Sequence, residues 1–318
     1  MIIGIDTSCY TTSIAVVDMQ ENLIIENRRI LEVAEGERGL AQSTALFQHI
    51  KYGKDIFTEC LQKINKNSVR AVCVSSRPRS LEDSYMPVFL SGVSTAEVLA
   101  AAYKVPVFYT SHQEGHLMAG IKTSGMPDKQ RFLAVHLSGG TSELLLVQAE
   151  KDSFAVRLLG GSNDLHAGQL VDRTGVALGM KFPCGPELDK IACEYTGSKH
   201  ILKSTVKGYD FSLSGGEAEV MRQIAKGNTD QGALAQGVFS LLGNSLAKII
   251  LKAAEQENVD TVLLAGGVSG SGYLKKHLLK KLNCQVKVYF AQPYYAKDNA
   301  YGVALLGLRQ YQNLQIGR

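Results

Sequence analysis

Two short stretches share one layout and constrain the chain more than anything else in it. They are Asp6-Thr7-Ser8-Cys9-Tyr10-Thr11-Thr12-Ser13 and Leu137-Ser138-Gly139-Gly140-Thr141-Ser142. Each joins two apolar, strand-like runs through a tight turn of small, hydroxyl or glycine residues. The first turn lies between strands expected at 2–6 and 12–18, the second between strands expected at 132–137 and 143–148. Backbone N–H groups and hydroxyls in such turns can cradle phosphate oxygens, and Asp6, at a strand end, can reach a metal or a water. Turns of this shape also occur with no ligand at all. One per half, they point to an internal duplication with a ligand held between the halves.

The rest of the chain fits an α/β protein. Its 318 residues are long for one domain and suit two. With 45% hydrophobic and 20% charged residues the composition is that of an ordered globular protein. A net charge of +4 permits a nucleic-acid partner without arguing for one. The six cysteines are scattered, with no Cys-x-x-Cys pair, so they read as reduced thiols in a cytoplasmic protein. Residues 1–6 enter a strand at once, which leaves no room for a signal peptide. No apolar run approaches the ~20 residues of a membrane span, so no membrane partner is expected.

Taken in order, a third strand is expected at 23–33, helices at 42–64 and 88–103, and a buried strand at 71–75. The charged loop 76–83 follows that strand and reads equally as a ligand contact or a solvated loop. After a strand at 105–109 comes Ser111-His112-Gln113-Glu114-Gly115-His116. Ser111 and Glu114 have capping-box spacing, so a helix starts here. Its two histidines, four apart, share one face and can ligate zinc or iron together. The plainer alternative is two partly buried histidines held by hydrogen bonds. Residues 122–131 read as a connection between halves. A strand at 154–159, a helix over 163–175 bearing Asp172, and a helix beginning at Gly185-Pro186 come next. Two long helices, at 216–225 and 233–257, precede a strand that runs into Gly266-Gly267. A helix over 273–282 follows, its Lys275, Lys276, Lys280 and Lys281 forming a solvated face or an RNA contact. After a short strand at 286–290, Asp298 or Asn299 caps the final helix.

Together these pieces resemble the actin, Hsp70 and sugar-kinase (ASKHA) superfamily, with duplicated RNase H-like halves. Within it the chain resembles the TsaD family, which makes the threonylcarbamoyl adenosine beside the tRNA anticodon. The likeness runs through Asp6-Thr7-Ser8-Cys9, His112 to His116, Leu137 to Gly140, Asp172-Arg173-Thr174, Pro183 to Pro186, Phe211 to Gly215, Ala265 to Ser269 and Asp298-Asn299. It implies halves at 1–121 and 130–297, with a final helix at about 298–315 packing back on the first. It implies one divalent ion, iron or zinc, on His112, His116 and Asp298. It places an adenine nucleotide (ATP, AMP or threonylcarbamoyl-AMP) against Leu137, Ser138, Gly139, Gly140, Asp172, Gly185, Asp189, Gly266, Gly267 and Ser271. Asp6 and Ser8 are its candidate catalytic residues, and tRNA with TsaB-like and TsaE-like proteins its implied partners.

The chain departs from the family pattern at several positions. Tyr10 and Thr11 replace an acidic pair, and Ser76-Arg77-Pro78-Arg79 replaces a Gly-Pro-Gly loop. Thr141 stands for His, Glu217 for Lys and Ser271 for Asn. Glu217 reverses a charge near the expected substrate, which should weaken a site for a polyanion. Three readings follow: the family's transferase, a carbamoyltransferase with another acceptor, or a weakly active nucleotide-binding partner protein in the manner of TsaB.

Overall fold

A computed structural model describes all residues except 9, 34–39, 82, 128–129, 228–229 and 318. Cys9 of the first turn, Glu82 of the charged loop and Asp128 of the connection therefore lie outside the described residues. The chain divides into two compact units. Unit 1 comprises Met1–Thr123, Ala149–Ala155 and Lys297–Arg318, and unit 2 comprises Ser124–Gln148 and Val156–Ala296.

Unit 1 is built on five strands: β1 (Ile2–Thr7), β2 (Thr11–Val17), β3 (Leu23–Ile30), β4 (Ala71–Arg77) and β5 (Val107–Ser111). Their order is β3-β2-β1-β4-β5. The first three form an antiparallel meander, and β4 and β5 run parallel to β1. Every residue of β1 and β2 is buried, Asp6 and Thr7 included. That explains the apolar runs Ile2–Ile5 and Ile14–Val17, because a strand covered on both faces has no solvent side to alternate with. Helix α1 (Gln42–Gln62) buries Ala45, His49, Tyr52, Ile56 and Cys60, a stripe at helical spacing. Helix α2 (Leu90–Tyr103) opens with a tighter turn at Pro87–Phe89. Helix α3 (His112–Ser124) leaves the end of β5 directly.

Unit 2 repeats the plan. Strands β6 (Arg131–Leu137), β7 (Ser142–Ala149) and β8 (Phe154–Gly161) are followed later by β11 (Thr261–Ala265) and β12 (Lys287–Phe290), in the order β12-β11-β6-β7-β8. Strand β7 is antiparallel to β6, while β11 and β12 are parallel to it in sequence across the sheet. Helices α4 (Ala167–Ala177), α5 (Gly185–Glu194), α6 (Ser214–Ala225), α7 (Gln231–Gln256) and α8 (Gly272–Leu282) complete the unit. A small hairpin, β9 (Thr205–Lys207) and β10 (Asp210–Ser212), was not anticipated, since three residues per strand carry no readable period. Helix α7 is long and apolar enough to cross a membrane by length and composition, against the expectation that no such run exists. Most of it is buried inside unit 2, where it packs on α5 and α8 as a core helix.

The last helix, α9 (Tyr301–Ile316), belongs to unit 1 and buries every residue from Tyr301 to Leu308. Two glycines explain how closely it sits. A Cβ at Gly4, in β1, would lie 2.5 Å from the backbone nitrogen of Ala304. One at Gly302 would lie 1.9 Å from the carbonyl oxygen of Gly115 and 2.8 Å from the nitrogen of Ala119. Backbone meets backbone at both places, and the sequence supplies the one side chain that allows it.

Gly302→Ala therefore has to push α9 away from α3. It should cost at least the about 1–3 kcal/mol typical of overpacking, read as a fall in the denaturation midpoint. Gly215→Ala, in α6 where an added Cβ meets nothing within 4 Å, should be neutral or slightly stabilising by the same measurement.

Candidate functional site

The site in unit 1 begins with the way α3 starts. Ser111 Oγ accepts from the Glu114 amide at 3.2 Å, and Glu114 Oε2 accepts from the Ser111 amide at 2.8 Å. This is the reciprocal box that the spacing predicts. Glu114 does more than cap. It also accepts from the hydroxyls of Ser80, Thr110 and Ser111 and from the amide of Phe154. Burial alone would raise its pKa, but the donors from Ser80, Ser111 and Phe154 outweigh it and hold the carboxyl below its ordinary range. The segment 76–83, expected as a loop that is either a ligand contact or solvated, starts within β4 and is tied to this helix through Pro78 and Ser80. The Gln113 amide donates to Pro78 O at 3.0 Å and Ser80 Oγ lies 3.0 Å from Ser111 Oγ.

So anchored, α3 presents His112 and His116 on one face, their rings edge to face with centroids 4.5 Å apart. Asp298 meets them from the segment before α9. Its neighbour Asn299 does the capping, with Oδ1 accepting from the Tyr301 amide at 3.1 Å and the Gly302 amide at 3.4 Å. That leaves the Asp298 carboxylate to face the histidines. The Nε2 atoms of His112 and His116 are 3.1 Å apart, and Asp298 Oδ1 lies 3.5 Å and 3.3 Å from them respectively. Ligands about 2.0–2.1 Å from a tetrahedral ion stand about 3.3–3.4 Å from one another, and the sides of 3.1, 3.3 and 3.5 Å are close to that spacing. Among the described residues it is the one grouping of three potential metal ligands.

The charges of the cluster are tightly linked. Burial penalises the His112 imidazolium, but the Asp6 carboxylate, then Asp298, outweigh burial and hold its pKa well above the ordinary histidine value. Burial would likewise raise the Asp298 pKa, yet the hydrogen bonds from His112 and His116 hold it well below the usual carboxylate range.

Of the two candidate catalytic residues in the first turn, Asp6 lies against His112, with Oδ1 3.0 Å from Nδ1. Ser8 is placed differently. Its carbonyl receives His49 Nε2 at 2.8 Å, and its buried Oγ has no protein partner among the described residues. His49 also holds Thr12 Oγ1 at 2.7 Å, so one α1 histidine clasps both sides of the turn. The sequence reading missed His49 and Ser75, whose hydroxyl donates to Asp6. A histidine at a core position of an amphipathic helix was the available signal for the first. Nothing local marks the second.

In unit 2 the second turn is hemmed in by glycines. A Cβ at Gly266 would lie 2.2 Å from Leu137 O, and one at Gly168 would lie 2.7 Å from the Gly139 nitrogen. Leu137 is thus brought against Gly266, and Ser138 and Gly139 against Gly168, with open space over Gly139, Gly140 and Gly267. Ser138 Oγ accepts from the Gly140 and Thr141 amides at 3.2 and 3.0 Å, which shapes the turn. The acidic residues are engaged with helix starts. Asp172 accepts from the Cys184 amide at 2.8 Å, just before Gly185. Asp189 accepts from Ser271 Oγ and from the Gly272 and Tyr273 amides at 2.8 and 3.0 Å, so it and Ser271 form one knot at the start of α8. Asp164, unremarked in the sequence, does the same for α6 through the Leu213 and Ser214 amides. Glu217, the reversed charge, pairs with Arg173 at 2.9 Å, so its charge is balanced locally.

Solved structures share this fold at low identity. HypF from T. kodakarensis aligns over 99% of this chain and 47% of its own, with a TM-score of 0.62 at 12% identity. Component A of the Acidaminococcus fermentans (R)-2-hydroxyglutaryl-CoA dehydratase aligns over 98% of each chain, with a TM-score of 0.58 at 14% identity. A ROK-family glucokinase from Streptomyces griseus, solved with glucose and AMPPNP, scores 0.55 at 13% identity over 97% of this chain and 99% of its own. The chain therefore has the mixed α/β fold of these proteins, with two five-stranded sheets of like strand order. The sequence model of the TsaD family, tRNA N6-adenosine threonylcarbamoyltransferase, matches residues 31–305. Proteins of that name from Sulfurihydrogenibium sp. and Persephonella marina are 28% and 26% identical over 98% of this chain, and 91% and 90% of their own lengths. The chain belongs to the TsaD family, a family of acyltransferases.

The raised His112 pKa has a stability consequence in protein stripped of metal. Stability from a group whose pKa rises on folding is complete below its unfolded value, about 6.5, and is lost as the pH climbs through the folded one. In EDTA-treated protein the stability gap between wild type and His112→Gln should narrow as the pH is raised above neutrality, measured by urea unfolding. A gap that widens with pH would contradict the charge arrangement described.

Proposed function

We propose that this chain transfers a threonylcarbamoyl group from threonylcarbamoyl-AMP to N6 of adenosine 37 in tRNA. In this reading one divalent ion, iron or zinc, is held by His112, His116 and Asp298. The observation that carries it is the triangle of two imidazole nitrogens and one carboxylate oxygen at 3.1, 3.3 and 3.5 Å, in a chain of this family. When bound, the ion supplies Lewis acidity to an oxygen of the acyl group or phosphate.

The residues do the rest by placement. The turn Leu137 to Gly140 and the facing Gly266-Gly267 present backbone that can approach an adenine nucleotide closely, since no Cβ intervenes at Gly139, Gly140 or Gly267. Asp172, Gly185, Asp189 and Ser271 complete the nucleotide site, and the cap bonds they make hold them in place beforehand. Ser8 offers a buried hydroxyl to the substrate. In the transfer, adenine N6 bonds to the carbamoyl carbon, the anhydride C–O bond to AMP breaks, and N6 gives up a proton. TsaB-like and TsaE-like proteins are the partners of this reading and the cytoplasm its setting.

The departures favour a second reading, in which the donor chemistry is kept and the acceptor changed. Its support is that Thr141, Glu217 and Ser271 differ on the substrate side while the three metal ligands are intact.

Purified protein should contain about one iron or zinc per chain, and His112→Ala should contain less than about a tenth of that, as expected on losing one of three ligands. Given threonylcarbamoyl-AMP and unmodified tRNA, wild type should yield threonylcarbamoyl adenosine in a nucleoside mass spectrum, and His112→Ala should not. Metal-replete protein that consumes the adenylate yet leaves tRNA unmodified would favour the second reading. Metal-replete protein that does neither would defeat both.

A further inference from the structure

Asp6 lies at the end of β1 with its side chain wholly buried, on the far side of His112 from the ligand triangle. Its Oδ1 is 3.0 Å from His112 Nδ1 and also accepts from Ser75 Oγ on β4. Its second oxygen has no protein donor among the described residues. An ionised carboxylate can only accept, so the Asp6 contact puts the imidazole proton on Nδ1. In the neutral ring, the lone pair is then on Nε2. That is the atom facing His116 Nε2 at 3.1 Å and Asp298 Oδ1 at 3.5 Å.

From this geometry we infer that Asp6 is a positioning residue, which fixes the tautomer and ring orientation of His112 so that Nε2 is offered to the cation. The inference rests on the metal reading above and reassigns Asp6 from direct chemistry to the support of a ligand. Three features carry it. The carboxylate addresses the nitrogen that the cluster does not use. Ser75 locks that carboxylate from a neighbouring strand, across 69 positions of sequence. A buried negative charge with one oxygen unsatisfied is costly unless positive charge stands close by, and a divalent ion one imidazole away provides it. A carboxylate behind a ligating imidazole also makes the ligand more basic, which strengthens the bond it gives.

Asp6→Asn separates this role from mere space-filling. The amide has the same shape but lacks the charge, and its NH2 can donate to Nδ1 and hold the wrong tautomer. Titration of metal-free protein with Co2+ should show one ion per chain, with the dissociation constant of Asp6→Asn raised about 10–100-fold over wild type. Its visible d–d bands should also shift. Ser75→Ala, which removes the hydroxyl that orients Asp6, should move affinity in the same direction by less. If Asp6→Asn binds Co2+ with wild-type affinity and spectrum, the inference is overturned. Should that variant fail to fold by near-UV circular dichroism, Ser75→Ala decides, and an unchanged constant and spectrum overturn the idea. A wild type that takes up no Co2+, or a His112→Ala variant that takes it up as well as wild type, would instead defeat the parent reading and this one with it.

Discussion

The close crossing of α9 over α3, backbone against backbone at Gly302 and Gly115, is the contact on which the unit 1 site depends. It joins the end of the chain to a helix nearly two hundred positions earlier. Because α9 also lies flat on β1 at Gly4, its start is fixed in two directions. Asp298, three residues ahead of that start, arrives over the histidine pair as a consequence. A larger residue at Gly302 would move the carboxylate as well as loosen the core. Asn299 makes the arrangement affordable by taking over the helix cap, so that adjacent residues divide two duties.

Electrostatics then decide what the cluster can hold. Two carboxylates, Asp6 and Asp298, flank two imidazoles in a buried setting. Burial disfavours a charged His112 ring, but the Asp6 and then the Asp298 carboxylate raise its pKa well above the ordinary histidine value. In the proposed metal-bound form, a divalent ion on Nε2 would supply positive charge at the same point, with the Nδ1 proton kept by Asp6. The five hydrogen bonds received by Glu114 fix the first turn on which both histidines ride.

Much of this was legible in the amino-acid order, for physical reasons that can be named. The duplicated strand-turn-strand pattern foretold two sheets of like topology, because apolar runs and tight turns are local properties. The Ser111–Glu114 box and the shared face of His112 and His116 follow from helical periodicity alone. Asp298 could be reached only through the family resemblance, because no local rule links it to a helix so far away. Ser75 and His49 were invisible for the same reason. Capping left Asp298 and Asn299 open, because two eligible residues stand side by side and only tertiary contacts choose Asn299. In unit 2, Asp172 and Asp189 were assigned to the ligand, whereas the structure shows each first committed to a helix N-terminus. An acid that anchors a helix can still face a ligand with its remaining lone pairs, so the two roles are compatible but not equivalent.

The departures from the family pattern gain meaning from where they fall. Glu217 looked disruptive because it reverses a charge, but Arg173, itself part of the matching Asp172-Arg173-Thr174, lies 2.9 Å away. The pair is partly exposed, so it contributes little stability; what it does is cancel the field that an unpaired carboxylate would present to a polyanion. Ser271 is shorter than the asparagine it replaces and donates to Asp189, which turns a side chain toward the α8 start. Thr141 lies within reach of Ser138 and His136, which keeps the second turn closed by hydroxyl contacts. Thr141, Glu217 and Ser271 are therefore each absorbed by a neighbour, while His112, His116 and Asp298 stand together as the family pattern has them. An intact triangle beside three partnered changes, Thr141, Glu217 and Ser271, supports the proposed reading of a transferase with an adjusted substrate surface.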